Sequence, residues 1–138
     1  MIAVDTSILA RFYCDDPDDP EAGRQRPVAR RMIVESPAVF VPLAAVLELE
    51  WVMRGFYEVE PESFCLAVEH LLGLSHVTVE RWEAVKDAVD LHRRGLDFAD
   101  ALHWACSGSC EHLVTFDDRR LVRRARRLGQ KPDIALPR

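Results

Sequence analysis

Four acidic residues are placed where carboxylates could act together on a phosphate ester. Asp5 and Asp117 each close an apolar, strand-like run, Asp100 opens a helix-like segment, and Glu48 lies on a helix that follows a strand. Carboxylate oxygens are hard ligands that suit Mg²⁺ or Mn²⁺. Held together, such acids repel one another unless a cation neutralises them. Two divalent ions about 4 Å apart can activate a water and stabilise the leaving oxygen in phosphodiester hydrolysis. The pattern therefore predicts metal-dependent phosphoryl chemistry.

Each acid also has a purely structural interpretation. Asp5 and Asp117 could cap the helices that follow them, and Asp100 would be favourable in a helix first turn. Glu48 lies mid-helix among apolar residues, where no cap is needed, but Glu50 competes with it and points to nearly the opposite side. Periodicity alone does not choose between these two glutamates.

Short apolar runs and helical patterns alternate along the chain. Strands are expected at 2–5, 38–42, 76–80, 112–116 and near DIAL at 133–136. Thr6 is expected to cap a helix over 6–13, and Asp97 to cap the segment 97–108. Residues 14–23, rich in Asp and Pro, predict a loop, and Pro27 predicts that the next helix begins there and reaches Val34. The remaining helices are expected over 43–56, 61–74, 81–95 and 118–128.

This alternation predicts an α/β protein: a three-layer α/β/α sandwich with a central, mainly parallel sheet, formed by one domain over 1–138. Ligands of such sheets bind outside the carboxyl ends of the strands. Asp5 and Asp117 follow strand ends, so both are expected at that edge.

Charge is distributed unevenly, although the formal net charge is only −5. Residues 119–131 carry seven Lys or Arg and no acid. These basic residues could bind RNA phosphates or form a solvated helix face; the candidates for RNA contact are Arg119, Arg120, Arg123 and Arg124. No apolar run approaches the ~20 residues needed to cross a membrane, and the N-terminus lacks a basic leader. With few cysteines, the chain is expected to be cytoplasmic and to have no membrane partner.

The three tryptophans lie on amphipathic helical segments. Trp51, Trp82 and Trp104 could stack on nucleic-acid bases. Burial is the commoner fate of a large aromatic residue, so core or dimer packing is favoured.

Four segments resemble the conserved blocks of the PIN-domain family, and more narrowly of VapC-type toxins. They are IAVDTSILARFY, VPLAAVLELEWVMRG, LDFADALHWA and LVTFDDRRL, in the expected order over nearly the whole chain. The departure from the family pattern is the acidic, proline-bearing stretch after Tyr13. It puts the local loop shape in doubt but not the acidic positions.

The resemblance implies a role for each acid. It assigns the metal-binding and catalytic positions to Asp5, Glu48, Asp100 and Asp117, and so favours Glu48 over Glu50. Thr6, Ser7 and Thr115 match polar positions that would support the acids or hold water. Asp97 and Asp118 are reserve candidates. The implied protein is a Mg²⁺- or Mn²⁺-dependent endoribonuclease, the homodimeric toxin of a type II toxin–antitoxin system, silenced by an antitoxin protein.

Two alternatives from other classes remain. A haloacid-dehalogenase-like phosphatase would generally carry a second Asp two residues after the first, where this chain has Ser7. A non-catalytic RNA- or partner-binding module would retain the acids and bind without turnover.

Overall fold

Parallel strands followed by helices organise the chain in the computed structural model, which describes residues 1–138. Two compact units are distinguished, Met1–Trp82 and Glu83–Arg138. Helices and parallel strands occur in both, which confirms the predicted α/β class. The extent of the single expected domain, 1–138, stays a prediction.

The first unit contains a three-stranded parallel sheet in the order β1-β2-β3. Its strands are β1 (Ile2–Ala3), β2 (Val39–Val41) and β3 (Val77–Val79). Both valines of β2 and both valines of β3 are buried, as expected for β-branched residues packed between helices. The helices are α1 (Thr6–Tyr13), α2 (Pro20–Val34), α3 (Leu43–Gly55) and α4 (Pro61–Gly73).

The second unit contains a two-stranded parallel sheet, formed by β4 (His112–Val114) and β5 (Asp133–Ala135). Its helices are α5 (Trp82–Arg93), which begins at the unit boundary, α6 (Phe98–Ala105) and α7 (Arg123–Leu128). Gly129 ends α7 with a φ of 65°, a left-handed conformation that glycine adopts without strain. No helix in the chain is both long enough and apolar enough to span a lipid bilayer.

The second helix is longer than its sequence predicts. It begins at Pro20, not Pro27, because Asp19 caps it by accepting a hydrogen bond from the Glu21 amide at 3.0 Å. Pro20 occupies the favoured first position, and Pro27 lies inside the helix at an exposed site. Pro27 cannot donate a backbone hydrogen bond, and a buried helix face compensates that loss. That face comprises Ala22, Ala29 and Ile33.

The predicted basic helix is present, but its first turn is wider than an α-helical turn. Residues Asp118–Val122 form a π-helical turn, in which the Val122 amide donates to the Asp117 carbonyl at 3.2 Å. Such turns are rare and occur frequently at functional sites. Here the turn begins directly after one of the candidate acids.

The tryptophans differ in their burial. Trp104 is 1% exposed, and its indole N–H donates to the Pro132 carbonyl at 2.7 Å, which ties α6 to the segment before β5. Trp51 is 65% exposed and Trp82 is 51% exposed. Core or dimer packing was expected for all three; Trp104 packs in the core, whereas Trp51 and Trp82 do not, and dimer packing of these two stays a prediction. Their helices direct other residues into the core.

Candidate active site

Asp5 follows β1 and caps α1. Its Oδ1 atom accepts hydrogen bonds from the Ser7 amide (3.0 Å), the Ile8 amide (3.3 Å) and the Ser7 hydroxyl (2.6 Å). The expected cap was Thr6, but Thr6 is buried in the first turn because Asp5 occupies the capping position. All three bonds end on Oδ1, so capping leaves the other carboxylate oxygen, Oδ2, for a ligand.

These hydrogen bonds also keep Asp5 ionised. The Ser7 hydroxyl is the largest influence and lowers the pKa of the Asp5 carboxyl; partial burial opposes it, and the Ile8 and Ser7 amides reinforce it. Ser7, predicted to support an acid, therefore contacts Asp5 directly. A carboxylate that stays charged is suited to a cation.

The two glutamates of α3 have different environments. Glu50 is 5% exposed and forms a two-point ion pair with Arg54, with Nε–Oε1 at 2.9 Å and Nη2–Oε2 at 3.4 Å. Glu48 is exposed to solvent. The Glu50 carboxylate is thus already neutralised by a neighbour on its own helix, whereas that of Glu48 is open to a ligand.

The sheet positions these acids through the ends of its strands. Asp5 follows β1, and α3, which carries Glu48, begins immediately after β2 and Pro42. Because β1 and β2 are parallel neighbours, their carboxyl ends lie at the same edge of the sheet. Pro42 offers no side-chain cap, and the Leu43 amide instead donates to Glu80 Oε2 at 2.8 Å.

Glu80 is a supporting residue that the sequence reasoning missed. It follows β3, pairs with the start of α3, and so fixes the helix on which Glu48 is carried. The signal was present in the sequence, because an acid directly after the strand HVTV repeats the arrangement of Asp5 after IAV.

The second unit places Asp97 and Asp117 where their charges act on Asp100. Asp97 caps α6, its Oδ2 accepting from the Asp100 amide at 3.2 Å, as the sequence predicted. Asp117 caps the π-helical turn through Oδ1, which accepts from the Arg120 amide at 3.0 Å. Thr115 supports Asp117, because its hydroxyl oxygen accepts from the Asp117 amide at 3.0 Å. Asp118, the reserve candidate, is exposed in the first position of the turn.

Of these three aspartates, the half-buried Asp100 is the one whose ionised form is disfavoured by its surroundings. Burial raises its pKa, and the negative charges of Asp97 and Asp117 raise it further; His103 and Arg124 act in the opposite direction. Binding a cation would relieve this repulsion. Within each unit taken alone, no three His, Cys, Asp or Glu side chains are grouped closely enough to hold a metal ion. The donor chemistry, carboxylates only, nevertheless fits a hard divalent cation.

All four candidate RNA-binding arginines are exposed. Arg119, Arg120 and Arg123 present their side chains to solvent. Arg124 is also exposed, but its Nη1 donates to the Gly95 carbonyl at 2.6 Å, so it holds the turn between α5 and α6. Its charge additionally favours the ionised form of Asp100.

In the metal-free protein, Asp100 is expected to titrate above the ordinary aspartate value of 3.8. The folded state therefore binds the Asp100 proton more tightly than the unfolded state does. Protonation of Asp100 stabilises the fold, and this stabilisation is complete below the pKa of Asp100 in the unfolded chain. It is lost as the pH rises through the pKa of Asp100 in the folded chain. Asp97→Asn keeps the helix cap but removes a repelling charge, so it should lower the pKa of Asp100. Carboxyl-carbon NMR titration of both proteins measures the shift. An unchanged Asp100 pKa in the variant would contradict the proposed coupling.

Comparisons with known proteins identify the family. Among solved structures, the chain is similar to Mycobacterium tuberculosis VapC20, described as a sarcin-ricin loop cleaving toxin. The two share 20% identity, with 86% of this chain and 92% of that chain covered and a TM-score of 0.43, a likeness too low to carry an argument about activity. Among curated proteins there is no match. The PIN domain family model matches residues 2–127, and the chain therefore belongs to the PIN domain family.

Proposed function

We propose that this chain is a Mg²⁺- or Mn²⁺-dependent endoribonuclease that hydrolyses RNA phosphodiester bonds. The observation that carries the proposal is the half-buried Asp100 carboxyl, near the repelling charges of Asp97 and Asp117, in a chain of the PIN domain family. A cation that binds these carboxylates would neutralise their repulsion and so stabilise the folded protein.

Four carboxylates would hold the cation: Asp5, Glu48, Asp100 and Asp117. When bound, the divalent ion would supply Lewis-acid chemistry to the phosphodiester. Ser7 keeps Asp5 ionised and oriented, and Thr115 holds the backbone at Asp117. Asp97 fixes the first turn of α6, on which Asp100 is carried. Thr6, buried in the first turn of α1, supports the same helix start as Asp5.

The exposed arginines would bind the RNA backbone. Arg119, Arg120 and Arg123 follow Asp117 directly in the chain, so phosphates held by them would lie near one of the proposed metal ligands. Arg124, exposed on the same helix, is proposed to contact RNA as well, although its guanidinium also donates to the Gly95 carbonyl and holds the α5–α6 turn.

The toxin role is part of the same proposal. The sequence blocks resemble VapC-type toxins, and this resemblance is the support for a cytoplasmic homodimer silenced by an antitoxin protein in a type II system. Its RNA target is expected to be single-stranded or looped.

Incubation of total cellular RNA with the purified chain tests the proposal. Discrete fragments are expected with Mg²⁺ or Mn²⁺ and none with EDTA, because the carboxylates need a cation to act on a phosphate ester. Excess Mg²⁺ added after EDTA should restore the fragments. Absence of cleavage, with divalent-ion binding recorded by calorimetry, would overturn the nuclease and favour a binding module.

A further inference from the structure

An exposed tryptophan lies one helical turn from a proposed metal ligand. Trp51 is 65% exposed on α3, three residues after Glu48. Residues three apart on an α-helix lie on the same face, separated by a rise of ~4.5 Å along the axis. Both side chains therefore project from one solvent-facing surface of the first unit.

The helix holds this surface rigidly. The opposite face of α3 is buried, and the Leu43 amide at its start is bonded to Glu80. The buried positions of α3 are Ala45, Val46, Leu49, Glu50 and Met53. Trp51 is therefore a fixed platform on a packed helix and not part of a loop.

The surface beside Trp51 is open. Ala44 precedes Glu48 by one turn, and Gly55 follows Trp51 by one turn; both are exposed and small. A side-chain carbon added at Gly55 would meet no atom within 4 Å. Gly55 thus leaves room for a flat ligand beside the indole, and Ala44 leaves the surface next to Glu48 open.

An exposed tryptophan indicates a binding role more strongly than an exposed charged residue does, because tryptophan side chains are strongly buried on average. Aromatic side chains provide stacking platforms for unpaired bases, and they do so with little sequence preference. Glu48, beside it, is proposed to hold the cation on which a phosphodiester is cleaved. A base stacked on the indole would thus belong to a nucleotide next to that phosphodiester.

We infer that Trp51 stacks on an unpaired base of the RNA substrate and positions the adjacent phosphodiester beside Glu48 on α3. The inference rests on the proposed ribonuclease function. It adds a statement on substrate specificity: tight binding requires an unpaired nucleotide beside the cleaved bond. Duplex RNA, whose bases are already stacked and paired, does not provide that base.

Steady-state cleavage of an RNA hairpin with a long loop tests the role in binding. Trp51→Leu keeps an apolar side chain but removes the aromatic face, so KM is expected to rise about 10-fold or more while kcat changes little. Trp51→Phe, which retains a ring, should restore most of the affinity. Trp82→Leu, at a similarly exposed tryptophan, is the matched control and should leave KM unchanged.

Tryptophan fluorescence provides a readout independent of turnover. In an Asp100→Asn, Trp82→Phe background, adding the hairpin should quench the Trp51 emission, and a fully paired duplex of the same length should quench it much less. Quenching of this emission by RNA, together with no cleavage by the wild-type chain, would overturn the ribonuclease and leave the base-binding role standing.

Two results would overturn the stacking role itself. One is a wild-type KM for Trp51→Leu in a chain that cleaves RNA. The other is a change of oligomeric state in Trp51→Leu, measured by light scattering, with Trp51→Phe failing to restore KM. The latter would assign Trp51 to an interface with a second copy of this chain.

Discussion

Replacing Asp100 by Asn is expected to reduce metal-dependent RNA cleavage by more than about 100-fold, because even residues that only support metal ligands cost 10–100-fold when changed. The same change should not destabilise the metal-free protein. The Asp100 carboxyl is desolvated and repelled by Asp97 and Asp117, so an uncharged amide removes an unfavourable charge at neutral pH. Activity and stability should therefore change in opposite directions. Cleavage assays, divalent-ion calorimetry and thermal unfolding in EDTA measure the three quantities.

Asp87→Asn is the matched control for this variant. Asp87 is exposed on α5 in the same unit, and its replacement should alter neither cleavage nor metal binding. Host growth gives a further readout, since expression of the wild-type chain should arrest growth and Asp100→Asn should not. A fully active Asp100→Asn protein would remove Asp100 from the site. An inactive variant that had also lost thermal stability would show only a structural defect.

The elements of this fold were predictable where local chemistry and tertiary packing agree. The apolar runs around Val39, Val77 and Leu113 are strands in the structure, and the last helix ends at Leu128 as predicted. Asp97 caps α6 for the reason the sequence indicates: its short carboxylate reaches the amide three residues on. At such positions the residue that the local backbone favours is also compatible with the packing of the core.

Predictions failed where burial of a helix face decides the outcome, or where a local capping signal was overlooked. The proline rule placed the start of α2 at Pro27, but burial of Ile33 and capping by Asp19 maintain the longer helix. The exposure of Trp51 was missed for a related reason. Periodicity shows that α3 has an apolar face, but not how far the core extends around the helix.

The choice between Glu48 and Glu50 illustrates a signal that was available and unused. Glu50 and Arg54 have the i,i+4 spacing at which an acid followed by a base pairs on a helix, whereas Val52 stands four residues after Glu48. The structure forms that pair, with Glu50 buried beneath it. An acid with a basic partner on its own helix is thus less suited to a metal than an acid without one.

Substitutions at Asp5 are expected to separate its two roles, because an amide oxygen can still cap the helix but carries no negative charge for a metal. Asp5→Asn keeps an oxygen for the Ser7 and Ile8 amides but loses the charge that these bonds favour, so the free energy of unfolding should fall by less than in Asp5→Ala. Asp5→Ala removes the cap and should cost about 1 kcal/mol. Both variants should lose RNA cleavage by more than about 100-fold. Urea unfolding and the hairpin cleavage assay give the two measurements.

Asp19 provides the comparison for a cap without a proposed chemical role. It caps α2 with Oδ1, which accepts from the Glu21 amide at 3.0 Å, and its Oδ2 also pairs with Arg11 Nη2 at 3.4 Å. Asp19→Ala should lower stability by about as much as Asp5→Ala, by the usual cost of a lost cap, and leave cleavage intact. If Asp5→Asn cleaved RNA like the wild type, Asp5 would be a cap of the same kind as Asp19. If Asn at position 5 keeps the helix start and loses cleavage, the charge of Asp5 is what the reaction requires.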